Sequence, residues 1–233
     1  MKRLLFLTLL FAAIIFATSF SYGQVVNETR NVTGFSRVNF GVAGDLIIQL
    51  GQQYKVVIEG NRSDVDDVIT EVSGGRLNIK KENWRIRMDG RVTVYITMPE
   101  IEGLGVSGSG KAEVKDAVKG DNLDLSVSGS GKLVMMDLNV SNLDCSISGS
   151  GTINLTGNGG VGKADIAISG SGDYYSESVR IESLSVGISG SGKCNCNVTG
   201  ALNASISGSG DVVYSGNPRI NARVSGSGHV RSR

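Results

Sequence analysis

The sequence predicts an all-β chain: a parallel β-helix with about 18–21 residues per repeat, preceded by a more irregular β-rich N-terminal region. Three observations carry this. The tetrapeptide SGSG occurs at 107–110, 128–131, 148–151, 169–172, 189–192, 207–210 and 225–228, spaced by 21, 20, 21, 20, 18 and 18 residues. A near-fixed period is the signature of a repeat architecture. Apolar residues line up before each copy. Val106, Val127, Ile147, Ile168, Ile188, Ile206 and Val224 sit immediately before it, and Leu104, Leu125, Cys145, Ile166, Val186, Ala204 and Ala222 sit two residues earlier. Between these columns lie polar or small residues such as Asp124, Ser126, Asp144, Ser146 and Asp165. Alternation with period 2 defines a strand with one buried face.

Each SGSG is a turn between two strands. The alternation resumes after it at Ala112/Val114, Leu133/Met135, Ile153/Leu155, Cys194/Cys196 and Val212/Tyr214, with Tyr174/Ser176 as the polar variant. The expected turn residues are the paired glycines Gly108 and Gly110, Gly129 and Gly131, Gly149 and Gly151, Gly170 and Gly172, Gly190 and Gly192, Gly208 and Gly210, and Gly226 and Gly228. Glycine reaches backbone angles that cost other residues steric energy. A weaker apolar position recurs mid-repeat at Val118, Val140, Val161, Val179 or Ile181, and Val198, which reads as a soft second corner. Stacked coils place like residues over like at roughly 4.8 Å. One coil cannot bury its apolar face alone, so the coils stabilise one another.

Upstream, residues 34–98 lack the motif but read as strands: FSRVNF, DLIIQL, YKVVIEG, RLNIK and RVTVYITM. One helix is expected over 63–70, SDVDDVIT, with Ser63 or Asp64 as cap. This region is expected to close the N-terminal end of the solenoid, and Pro99 marks the start of the regular repeats at 99–233. Residues 24–33 read as a linker.

The first residues read as a secretory signal peptide over 1–23. Lys2 and Arg3 form a basic start, Leu4 to Phe16 an apolar segment, and Ser21 and Gly23 suit a cut before Gln24. Removing Lys2 and Arg3 takes the formal charge from +1 to −1. That balance gives no electrostatic case for nucleic acid. No later stretch of the mature chain is long and apolar enough for a transmembrane helix. Export implies the periplasm, an outer-membrane association or the extracellular space.

Candidate chemical sites are few. SGSGK at 107–111, with Gly105 ahead of it, superficially matches a phosphate-binding loop, but Ala112 stands where the loop needs Ser or Thr and a strand follows. Asp173 and Asp211 after SGSG faintly resemble a calcium-binding repeat, but the period is wrong. Both read as solvated turn acids. Cys145, Cys194 and Cys196 are expected as buried free thiols, and His229 is the single histidine, so no zinc site is expected. The outward carboxylates Asp124, Asp144 and Asp165 stack on successive repeats and are the candidate binding face, although one acidic column on a repeat exterior more often serves solubility alone. Tyr174, Tyr175 and Tyr214 suggest a sugar-stacking patch, although alternation points Tyr174 and Tyr214 inward. No catalytic residue and no cofactor is expected.

The segments GFSRVNFGVAGDLIIQLGQQYKVVIEG and GGRLNIK…VTVYITMPEIEGLGVSGSG, with the repeated GSG, resemble the family of putative auto-transporter adhesins with a head GIN domain over about residues 34–230. The resemblance implies an exported protein of Bacteroidetes-like bacteria with a superhelix like that of pectin lyases but without their catalytic residues, and a role in adhesion. No C-terminal membrane β-barrel follows the last SGSG, so another system is expected to carry the chain to a surface. The expected task is non-enzymatic binding of a surface glycan or protein. The alternatives are action on a polysaccharide, and a structural envelope role with self-association into a homo-oligomer through the solenoid ends.

Overall fold

The computed structural model describes residues 25–82 and 90–233. The signal peptide expected over 1–23 lies outside the described residues. Among the described residues, the N-terminal part holds β1 (Val25–Arg30), β2 (Arg37–Gly41), β3 (Gly44–Leu50), β4 (Lys55–Asn61), the short helix α1 (Arg62–Asp66), β5 (Val68–Ser73), β6 (Arg76–Lys81) and β7 (Val92–Met98). The repeats supply β8 (Gly103–Gly108), β9 (Lys111–Val114), β10 (Val118–Gly129), β11 (Lys132–Met136), β12 (Leu138–Gly149), β13 (Thr152–Thr156) and β14 (Gly160–Gly170). They end with β15 (Asp173–Gly190), β16 (Lys193–Gly208), β17 (Asp211–Ser215), β18 (Arg219–Gly226) and β19 (His229–Ser232).

The repeats form a parallel β-solenoid whose pairing follows the sequence columns. Leu125 lies over Leu104 and under Cys145, then Ile166, Val186, Ala204 and Ala222 follow. On the opposite face Ala112, Leu133, Ile153, Tyr174, Cys194 and Val212 stack in turn. These inward residues are buried from the N-terminal coils through Val212, in one continuous core. Where two strands per coil were expected, a short third ladder precedes the strand that leads into each turn, near the start of β12 and β14 and within the longer β15 and β16. Val140, Val161, Ile181 and Val198 are in register there, and both Val179 and Ile181 are buried.

The two glycines of a motif serve different purposes. Gly129 adopts φ 106°, a region that favours glycine. Gly131 is not among the positive-φ residues, but a Cβ on it would lie 2.6 Å from Val106 Cγ1 and 2.9 Å from the Gly110 carbonyl oxygen. The hydrogen-bond ladder continues through the turns: Ser130 N–H donates to Gly108 O and Lys132 N–H to Gly110 O, both at 2.9 Å.

The N-terminal region departs from the expected order. β2 and β3 form a solenoid coil of their own, inserted between β6–β7 on one side and β8–β9 on the other, all parallel. The stretch GVAG at 41–44 occupies the place of SGSG, with Phe40 over Val106 and Asp45 over Lys111. Regular stacking therefore begins well before Pro99. Antiparallel strands then cover this end: β5 on β6, β4 on β7, and β1 on β4. Closing a parallel stack in this way blocks edge-to-edge association. The expected linker at 24–33 contains β1, whose Val25–Arg30 pair with Asn61–Val56. Arg30 anchors it by donating to the carbonyls of Val65 and Val68. The helix expected over 63–70 stops at Asp66, because Val68, Ile69 and Thr70 are β-branched and pair with β6. Gly74 and Gly75, at φ 57° and 73°, close the β5–β6 hairpin, the geometry such two-residue turns require.

Candidate functional site: an outer trough with an acidic column

The register that builds the core also builds the outer surface. Asp124 pairs with Asp144, Asp144 with Asp165, Asp165 with Ser185, and Ser185 with Asn203. Two residues on, Ser126, Ser146, Ala167, Gly187 and Ser205 form a second column of small residues. A third column is the first serine of each motif: Ser128, Ser148, Ser169, Ser189 and Ser207. The small residues form the floor of a shallow trough between the other two. It consists of two adjoining depressions of about 450 and 460 Å³ that share Ser146 and Ala167. All three predicted carboxylates line the first depression.

The column is an ordered row of oxygen acceptors held by the sheet. Its two ends are partly neutralised. Arg37 Nη2 lies 3.9 Å from Asp124 Oδ2, and Lys163 Nζ lies 2.8 Å from Asp165 Oδ2. That contact raises the Lys163 pKa: the hydrogen bond to Asp165 contributes most, then the Asp165 charge. Side chains of Asp124 and Asp165 are 58% and 44% exposed, so both keep much of their hydration. The trough therefore presents carboxylate and hydroxyl groups at coil spacing, roughly 4.8 Å, above a floor with almost no side-chain bulk. Sequence reasoning found the acidic column. It missed the trough, which follows from the small second column between two polar ones.

The other sequence candidates do not assemble into sites. Lys111 opens strand β9 and its ammonium lies 3.0 Å from Glu113, so the phosphate-loop reading fails for want of a helix. Lys115 and Lys111 together hold the Glu113 carboxyl below its ordinary range, the Lys115 hydrogen bond contributing most. Asp173 accepts from Tyr175 Oη at 3.2 Å and Asp211 from the His229 N–H at 3.1 Å. Among the described residues no three His, Cys, Asp or Glu groups converge in a way that would hold a metal ion. Tyr174 is fully buried and Tyr214 partly so, which leaves Tyr175 as the outward member of the proposed aromatic patch.

The three thiols are free and buried. Cys145 projects into the core from the acidic face, directly beneath the column. Burial pushes its thiol well above the ordinary value, and the Asp144 and Asp124 charges add to this. Cys194 is pushed up by its hydrogen bond with Cys196 and by burial. Beside them Tyr174 Oη and Ser176 Oγ are buried with no hydrogen bond of good geometry. Burial raises the Tyr174 pKa well above its usual value. This is a polar island inside an apolar core.

The fold and the outer columns define a β-solenoid with a ladder-like surface. The chain belongs to the family described as putative auto-transporter adhesin, head GIN domain, whose model matches residues 34–218. It is similar to the crystal structure of a putative adhesin from Bacteroides fragilis, with 21% identity and a TM-score of 0.84, over 90% of this chain and 97% of that one. It is also similar to a putative adhesin from Parabacteroides merdae, with 21% identity and a TM-score of 0.71, over 91% of this chain and 97% of that one. A protein from Parabacteroides distasonis described as a putative lipid binding protein shares the fold at 21% identity and a TM-score of 0.74, over 91% of this chain and 98% of that one. No curated protein matches the chain. Among the described residues no helix is long and apolar enough to cross a membrane.

Proposed function

We propose that this is an exported, non-enzymatic binding protein of the bacterial envelope or cell surface, which holds a surface glycan or protein ligand in the trough along Asp124, Asp144 and Asp165. The observation that carries the reading is the in-register stacking of these carboxylates beside a small-residue floor. Membership of an adhesin family and the basic, apolar start of the sequence support export and adhesion. A ligand with a repeating unit and hydrogen-bond donors meets one acceptor per coil. Many weak contacts acting together give useful affinity without a deep pocket. The carboxylates are exposed or partly exposed along an open, shallow surface, which favours binding over the enclosed acid–base pair that glycoside hydrolysis uses.

The test is an array of glycans and surface proteins probed with the mature chain. Binding is expected to fall for Asp124→Asn/Asp144→Asn/Asp165→Asn and for Ala167→Tyr, which fills the floor. Binding by both variants that matches the unchanged chain would refute the trough. Degradation of a bound polysaccharide, abolished by the same Asp→Asn changes, would replace the reading with the enzymatic one. A second reading, self-association through the end coil, rests on Ile220 and Val224, 47% and 44% exposed on β18. Light scattering decides it: concentration-dependent mass that Ile220→Lys/Val224→Lys removes is expected, and a strict monomer refutes it.

A further inference from the structure

We propose that Asn158–Gly159 is a self-modification site, at which the Asn158 side chain cyclises onto the following backbone amide and opens to aspartate or isoaspartate. The pair lies in TGNGGVG, between β13 and β14, and is the single Asn-Gly step in the sequence. Three observations place the reacting groups. Asn158 is exposed at the corner. Gly159 has no side chain to shield its nitrogen, and its N–H donates none of the turn and loop hydrogen bonds of the described residues. Gly157, at φ 101°, and Gly160 flank the step, so no neighbouring side chain hinders closure of the five-membered ring.

The chemistry balances without a redox partner. Hydroxide takes the proton from the Gly159 amide. The nitrogen attacks Asn158 Cγ, the Cγ–Nδ2 bond breaks, and Nδ2 leaves as ammonia once water protonates it. Water then adds to either carbonyl of the cyclic imide and reopens the ring. The net change is one water in and one ammonia out. Attack at the backbone carbonyl gives isoaspartate, which carries the main chain through the former side chain and lengthens it.

The corner is poorly suited to that product, which gives the site a consequence. Asp137 Oδ1 already accepts from the Asn158 N–H at 3.4 Å, so the new carboxylate forms beside an existing one. Asp137 itself holds the unusual φ of 52°. Gly159 packs so closely on the Leu138 carbonyl that a Cβ would overlap it, and its own carbonyl accepts from Arg180 N–H at 3.2 Å. A longer main chain displaces both contacts. Age-dependent charge and local loosening therefore converge on one corner, away from the acidic trough.

The experiment incubates the intact folded protein in mildly alkaline buffer and maps peptides by mass spectrometry in ordinary and ¹⁸O-enriched water. A synthetic TGNGGVG peptide serves as the reference clock. Conversion at Asn158, with one solvent oxygen incorporated, is expected within about tenfold of the peptide rate, a barrier difference of about 1.4 kcal/mol. Asn158→Gln is expected to lose the signal while keeping the melting temperature. Asn158 remaining intact in the folded protein after the peptide has converted fully would overturn the proposal, as would other asparagines converting first.

Discussion

The glycine pair at each corner leads to a double-mutant test. Take Gly131→Ala. The backbone at this site is not in the positive-φ region, so the cost is contact alone. The added methyl would lie 2.6 Å from Val106 Cγ1 and 2.9 Å from Gly110 O. Overpacking of this kind costs about 1–3 kcal/mol. Val106→Ala removes two buried methyl groups and should cost about 2–3 kcal/mol, from about 0.8 for each plus the cavity left behind. In the double variant the new methyl enters that cavity. The combined loss should fall short of the sum by about 1 kcal/mol or more, well outside the roughly 0.3–0.5 kcal/mol within which independent sites add. Gly129→Ala is the control: its φ of 106° and the Gly108 carbonyl 2.7 Å from the new Cβ are backbone effects that trimming Val106 cannot relieve. Its cost should be about 1–3 kcal/mol for the backbone alone, plus the overlap, and additive with Val106→Ala. Urea unfolding followed by circular dichroism, compared at equal m-value, reads all six proteins: the unchanged chain, the three single variants and the two double variants. Additive behaviour of Gly131→Ala with Val106→Ala would refute the claim that the second glycine is there for closeness.

Three further outcomes follow from the core. The Cys145 and Cys194 thiols keep their protons in the fold to higher pH than in the unfolded chain, whose thiols titrate near pH 8.5. Above that pH the unfolded state binds fewer protons. Stability is therefore full below about pH 8.5 and falls as pH rises, by up to about 1.4 kcal/mol per pH unit for each thiol. Cys145→Val should remove one such contribution, and an unchanged slope under reducing conditions would contradict this. Thiol reagents should label none of the three cysteines in the native protein and all three after denaturation, since each is buried; fast native labelling would show an open core. Tyr174→Phe/Ser176→Ala should stabilise the protein by about 1–3 kcal/mol by removing together two buried hydroxyls that face only each other, and a lower melting temperature would show that they are better partnered in the fold.

The solenoid was legible because its pitch forces column identity. Each coil repeats the same local problem, so Leu104, Leu125 and Cys145 announce one another at fixed spacing. The order of the first coils was not legible. β2–β3 meets β8–β9 in space while β4 to β7 intervene in sequence, and its GVAG turn lacks the serines that mark the other corners. β1 was missed because VVNETR has little apolar alternation; it is held by edge pairing to β4 and by Arg30, neither of which leaves a local pattern. The third short ladder was visible only as isolated valines, since one or two inward residues per coil are too few to give a period to read.

The same distinction governs the candidate site. The acidic column could be read because it alternates with the core. The trough could not, because its floor is defined by missing bulk at Ala167 and Gly187, and a small residue in one repeat carries no signal by itself. Only stacking turns five such positions into a channel, bordered by carboxylates on one side and serine hydroxyls on the other. A ligand lying along the solenoid axis would meet carboxylates on three successive coils, then Ser185 and Asn203, with a motif serine opposite each. One substitution in the column then removes one contact among several, whereas a bulky residue at Ala167 interrupts the run. Ala167→Tyr should accordingly weaken binding of a long ligand more than Asp144→Asn does, and the gap should shrink for ligands spanning a single coil. Equal losses at every ligand length would mean that binding is set by one local contact and not by the ladder.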